Sequence, residues 1–281
     1  MISLVSITLG YTRQYYYKLK KEVKRKTEHK KQVMDMVAKH RKLMYRLGTR
    51  KLHHLMRAEL EVKEIKCGRD MLFGYLREEN LLIKPRRRYI QTTYSKHWLR
   101  KYPNIVKDFV PQKPEQLWVS DITYIKTTEG NCYLNMVTDA FSKKIVGYAL
   151  AENMEASTMI KAYQMALKGK QNKQIQTIHH SDRGMQYCSK EYVELSTKHG
   201  CLISMTENGD PYENALAERM NRTIKEEFGL GEEIKTRQLA KQMIQEAVNL
   251  YNNYRPHLAL NFNSPNNIHK KIPDKFDCCQ G

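Results

Sequence analysis

The chain has 281 residues, room for one sizeable core and one or two small accessory domains, and its 41% hydrophobic share suits a globular protein. No apolar run approaches a bilayer span, and the leading MISLVSITLG has neither a basic start nor a small-residue cleavage site, which argues against a secretory signal and predicts a cytoplasmic protein. Six scattered cysteines (Cys67, Cys132, Cys188, Cys201, Cys278 and Cys279) lack CxxC spacing, which argues against a zinc ribbon or a disulfide framework and for reduced thiols.

The net charge of +19 is unevenly placed. Residues 1–110 hold 28 Lys and Arg against 10 Asp and Glu, while residues 111–281 hold 21 against 20. A basic arm joined to a near-neutral domain is the pattern of a nucleic-acid-binding protein, because each phosphate neutralised by Lys or Arg releases counterions.

In chain order, SITLGYTRQYYYKLKKEVKRK reads as a helix, a turn at Gly10 and a second helix, a short helix-turn-helix over residues 1–30. Residues 31–84 follow as a second helical DNA-binding unit. Val33, Met36, Val37 and His40 recur at helical spacing, as do Leu52, Leu55 and Met56, and then Leu72, Tyr75 and Leu76, with breaks at Gly48 and Gly68. The segment GRDMLFGYLREE, with Arg69 at its start, is the candidate groove helix. Residues 85–114 lose periodicity, contain Pro85, Pro103, Pro111 and Pro114, and read as a basic linker in which Arg86, Arg87 and Arg88 are candidate phosphate contacts.

From Leu117 the pattern turns to strands. LWVSDITYI alternates two faces, and NCYLNMVTDAF and KIVGYALA follow short turns, which predicts three antiparallel strands. MEASTMIKAYQMALKGK is a helix with Met159, Ile160, Tyr163, Ala166 and Leu167 on one face; IQTIHH is a short strand, SKEYVELSTKHG a helix, CLISMT a fifth strand, and 213–228 a further helix.

That order places the acids. Asp121 lies inside a strand, where a lone charge is costly unless paired or bound to a cation, and Asp182 ends another strand, where open α/β sheets place ligands. Two such acids and one on a later helix can hold a pair of Mg²⁺ ions roughly 3.5 to 4 Å apart and clamp both oxygens of a phosphodiester displacement. On the helix, Glu218, Arg222 and Lys225 share a face, which fits either a carboxylate ligand flanked by phosphate-binding cations or an ordinary salt-bridge ladder. Asp210 and Glu213 read as turn and helix-start chemistry. His179 and His180 face opposite sides of a strand, which disfavours joint ligation of one metal, and read as packing residues; His53 and His54 are weak metal candidates for the same reason.

WVSDITYI, HHSDRGMQYCS and NGDPYENALAERMNRTIKEE, with 35 residues between Asp182 and Glu218, resemble the DDE motifs of bacterial insertion-sequence transposases in the retroviral-integrase superfamily. TTYSKHWLRKYPNIVKDF is similar to that family's linker and LYNNYRPHLALNFNSPNNI to its C-terminal segment, so the likeness spans nearly the whole chain. Met185 and Ser120 depart from the common pattern at positions that bear no ligand.

The resemblance implies an α/β, RNase H-like integrase catalytic core, a mixed five-stranded sheet with flanking helices, over residues 115–230, with a C-terminal helix and tail over 231–281 and small all-α helix-turn-helix domains in front. It implies Asp121, Asp182 and Glu218 as catalytic metal ligands for Mg²⁺, with Mn²⁺ able to substitute. It further implies cleavage at element ends and strand transfer. The expected partners are double-stranded DNA (terminal inverted repeats and target), further copies of the chain on DNA, and an upstream-frame helix-turn-helix protein as fusion partner; the protein is expected at the nucleoid when bound. A DNA-binding regulator with a non-catalytic core and a hydrolysis-only nuclease are the competing readings.

Overall fold

The computed structural model describes residues 10, 12–84, 100–207 and 214–270. The chain divides into two compact units, residues 1–85 and 86–281.

The first unit is helical. Its α1 (Arg13–Leu43) starts where the Thr12 hydroxyl accepts from the Tyr15 amide at 3.1 Å and runs 31 residues, with no Gly or Pro to interrupt it. The boundary expected at residue 30 therefore falls inside one continuous helix. Gly10 does stand in a turn, at φ +73°, while residues 1–9 lie outside the described residues. Gly48 and Gly68 precede α2 (Thr49–Val62) and α3 (Arg69–Glu78). Val33, Met36 and Val37 of α1, Leu52, Met56 and Leu60 of α2, and Leu72 and Leu76 of α3 are buried, at i, i+3, i+4 spacings that put one stripe of each helix inward.

The second unit is built on a five-stranded sheet in the order β3-β2-β1-β4-β5, from β1 (Leu117–Thr127), β2 (Gly130–Asp139), β3 (Ile145–Ala151), β4 (Ile178–Ser181) and β5 (Leu202–Met205). β1, β2 and β3 form an antiparallel meander, whereas β4 and β5 run parallel to β1. Parallel pairing demands crossovers, supplied by α4 (Ala156–Gly169) and α5 (Lys190–Lys198).

Strand alternation feeds two cores. Trp118 and Val137 face Met159, Ala162, Tyr163 and Ala166 of α4, while Ile125, Leu134 and Met136 face α6 (Ala215–Glu227) and α7 (Arg237–Asn253). α4 lies so close to the sheet that a Cβ on Gly147 would sit 2.1 Å from the Ala162 carbonyl oxygen, so only glycine fits there. The short α8 (Pro265–Lys270) closes the described chain.

Part of the expected linker is not free. Met205 donates to the Pro103 carbonyl at 3.4 Å, the Ile105 amide to Ser204 Oγ at 3.1 Å and the Asn104 amide to Glu207 Oε1 at 3.2 Å, with Tyr102 and Val106 packed against the cores. This segment covers the outer edge of β5 and satisfies groups that an edge strand leaves unpaired. Pro85 to Leu99 lie outside the described residues. Among the described residues no helix is long and apolar enough to cross a membrane, and Cys67, Cys132, Cys188 and Cys201 are buried free thiols.

Candidate active site

Register brings the two aspartates together. Val119 of β1 pairs with His180 of β4 in a parallel ladder, so Asp121 and Asp182, each two residues further on, emerge at the same level of adjacent chains. Adjacent strands lie about 4.8 Å apart. Asp182 follows the last residue of β4, at the C-terminal edge where such sheets bind ligands.

α6 brings the third acid. Its buried stripe of Ala217, Met220, Asn221 and Ile224 follows helical spacing, and two asparagines fasten it across β1. Asn214 Nδ2 donates to the Ser120 carbonyl at 3.0 Å, and Asn221 Nδ2 donates to Asp121 Oδ2 at 2.8 Å. Glu218 stands in the first turn of this helix.

The carboxylates sense one another. Burial and then the charge of Asp182 push the Asp121 carboxyl up to about 7, with Glu218 adding to the rise; the Ile122 amide, donating at 2.8 Å, and Asn221 oppose it. Glu218 is raised by burial and by Asp182. Asp182 Oδ1 accepts from the Gly184 amide at 3.1 Å in a tight loop, where a Cβ on Gly184 would stand 3.1 Å from that same oxygen. The Tyr187 phenol is driven well above its ordinary value by burial and by the charges of Asp182 and Asp121.

Cations sit beside this centre. Lys225 Nζ lies 4.2 Å over the Tyr124 ring, and burial lowers its pKa to about 8 against the pull of Asp121. Arg222 is exposed and pairs with Glu226 at 3.0 Å, not with Glu218, so the salt-bridge ladder through Glu218 does not form. Glu227 turns to the other side and is gripped at 2.6 and 2.7 Å by the buried Arg255.

A polar chain backs the site. Ser120 Oγ meets His179 Nε2 at 2.5 Å, His179 Nδ1 meets the Tyr192 hydroxyl at 2.8 Å, and Tyr163 stacks on the imidazole at 4.4 Å. Burial holds His179 down to about 3, so the ring is neutral. His180 bonds Ser204 at 2.9 Å on β5. Both histidines are packing residues that tie strands together.

The other expected residues are dispersed or outside the described chain. Arg69 is exposed in the helical unit, paired with Asp70 at 2.9 Å. Arg86, Arg87, Arg88, Asp210, Glu213, Cys278 and Cys279 lie outside the described residues. Sequence reasoning missed Asn214 and Asn221; the spacing of three residues puts Asn221 on the face of Glu218, but nothing in residue type or spacing marks it as a partner of Asp121.

The donor set fits a hard divalent cation. Burial and the charge of Asp182 raise both Asp121 and Glu218, and a cation held among the three carboxylates would offset both. Among the described residues no three His, Cys, Asp or Glu are gathered to hold a single metal ion. A paired-ion centre does not need that, since Mg²⁺ takes one or two protein carboxylates and keeps several waters.

The sequence profile described as Integrase core domain matches residues 111–211, and a second of the same description matches 199–265. The chain is 35% identical over 243 residues to the uncharacterized 31 kDa protein of insertion element IS600 from Shigella sonnei, covering 86% of this chain and 88% of that one. It is 35% identical over 182 residues to the transposase for insertion sequence element IS904 of Lactococcus lactis, covering 62% and 72%. It is 33% identical over 184 residues to transposase InsF for insertion sequence IS3A of Escherichia coli, covering 65% and 64%.

Proposed function

This chain belongs to the insertion-sequence transposases with an integrase core domain, and on that premise we propose that Asp121, Asp182 and Glu218 form the catalytic centre for cutting and joining DNA strands. The observation that carries the reading is the level register of Asp121 on β1 with Asp182 at the end of β4, with Glu218 in the first turn of α6 near enough that the charge of Asp182 raises both of the others. The three would hold Mg²⁺, with Mn²⁺ substituting. A divalent cation bound there supplies Lewis-acid polarisation of a phosphoryl oxygen and a nucleophile at neutral pH.

The rest of the chemistry belongs to the chain. Water attacks phosphorus at the element end and the bond to the 3′ oxygen breaks, freeing a 3′-OH; that hydroxyl then attacks a second phosphodiester and expels its 3′ oxygen. Asn221 fixes the orientation of Asp121 through Oδ2. Gly184 keeps the loop after Asp182 tight enough for its amide to hold Oδ1. Lys225 lies roughly 10.5 Å along α6 from Glu218 by helical rise, placed for a flanking phosphate of the double-stranded substrate. Arg222 stands exposed on the same helix and can leave Glu226 for a phosphate.

The test is nicking and strand transfer on an oligonucleotide carrying the element end, with and without Mg²⁺. Asp121→Asn, Asp182→Asn and Glu218→Gln should each abolish both steps while retaining DNA affinity and the far-UV spectrum. Strand transfer at the wild-type rate by Glu218→Gln would remove it from the centre.

A further inference from the structure

We propose that the first half of α1 is a DNA-binding arm whose working face is the stripe Arg13, Lys20, Lys24 and Lys31; the proposal rests on the reading of this chain as a transposase that acts on DNA. Among the described residues only the second half of α1 packs, through Val33, Met36 and Val37, whereas Arg13 to Lys21 and Val23 to Glu28 are exposed.

The segment from Arg13 to Lys31 holds nine Lys and Arg against two Glu. At 100° per residue, the spacings of 7, 4 and 7 put the four cations within about 20° of one line, running roughly 27 Å along the axis. By the same count Val33, Met36 and Val37 point to the opposite side, so the stripe faces away from the bundle. No carboxylate pairs with any of the four among the described residues, while Glu22 pairs with Lys26 and Lys30 reaches Glu78 and Glu79. Arg13 lies 5.9 Å over the ring of Tyr17, which is exposed beside the stripe.

Charge decides the occupant. Duplex DNA carries one negative charge per about 1.7 Å of axis, so a straight row of unpaired cations can follow its backbone. A second copy of the arm would bring like charge against like, and the exposed apolar strip of Tyr16, Leu19 and Val23 runs on into Lys26 and Lys30, which breaks it as a dimer seam.

The test uses the full chain and anisotropy titrations of element-end and random duplexes over a salt series. Arg13→Gln, Lys20→Gln, Lys24→Gln and Lys31→Gln combined should make the slope of log K against log salt shallower by up to about 3.6, equally on both DNAs. Lys18→Gln, Lys21→Gln and Arg25→Gln combined, which remove charge from another side of the same helix, should change it by less than about 1. Equal changes in both variants would overturn the stripe, as would an unchanged slope accompanied by lost self-association in sedimentation, which would assign the arm to a second copy. The fate of the catalytic reading is separate: Mg²⁺-dependent nicking by the four-fold variant at saturating DNA supports that reading whatever the slopes, and no nicking by the wild type would sink it without altering them.

Discussion

Asp121 is a carboxyl group held partly out of water beside two others, and its proton affinity records that position. Folding raises its pKa from 3.8 to about 7. Because the folded chain binds the proton more tightly, the contribution to stability is complete below about pH 4 and is lost as pH rises through 7. Asp121→Asn removes this loss. In the absence of metal, urea titrations should find the variant more stable than the wild type at pH 8 by up to about 4 kcal/mol, at roughly 1.4 kcal/mol per unit, and the two should converge near pH 4. Added Mg²⁺ should raise the wild type at pH 8 and leave the variant nearly unchanged. The identity of Asp121 was legible because a charge inside a β-branched strand needs a reason. Its partner Asn221 was not singled out, since an asparagine on a polar helix carries no such signal until the helix is laid against β1.

At the scale of elements, α6 must be held at both ends for Glu218 to stay over the sheet. Asn214 and Asn221 hold the start and middle. The end is held by the paired hydrogen bonds of Arg255 to Glu227, in which both side chains are largely buried. Breaking one partner of a buried pair leaves an uncompensated charge, at a cost of about 3 to 5 kcal/mol. Arg255→Met should therefore lower the urea midpoint by that equivalent, and Glu227→Gln in the same chain should recover most of it. Strand and helix assignments were readable because alternation and the 3.6-residue repeat are properties of consecutive residues. The long α1 was divided at residue 30 although no cap or breaker marks that point, and the structure runs straight through it.

At the scale of the whole molecule, the two units have separate cores, and the segment from Tyr102 to Val106 in the second one is more than a spacer. Tyr102 and Val106 pack on the sheet, and Pro103 to Ile105 bond along β5. A fragment from residue 100 should thus unfold cooperatively, whereas one from residue 112 should be less stable by about 2 kcal/mol, from partial burial of two apolar side chains, and should aggregate through the bared edge. Thermal melts and light scattering of both fragments check this. Equal stability and solubility would mean that the segment contributes nothing to the core unit.

Residue types and their spacing along the chain were enough to single out the candidate acids, the order of strands and helices, the charge of the arm and the family likeness. It took folding to show that Val119 and His180 share a register, and so that Asp121 and Asp182 stand level. Folding likewise decided that Arg222 answers Glu226 instead of Glu218, that Arg255 reaches Glu227, and that among the described residues no carboxylate pairs with the row of Arg13, Lys20, Lys24 and Lys31 on α1. The physical reason is the same in each case. Register, ion pairing and exposure depend on which distant segments are packed together, and that choice is made by the burial of whole faces, which no local spacing records.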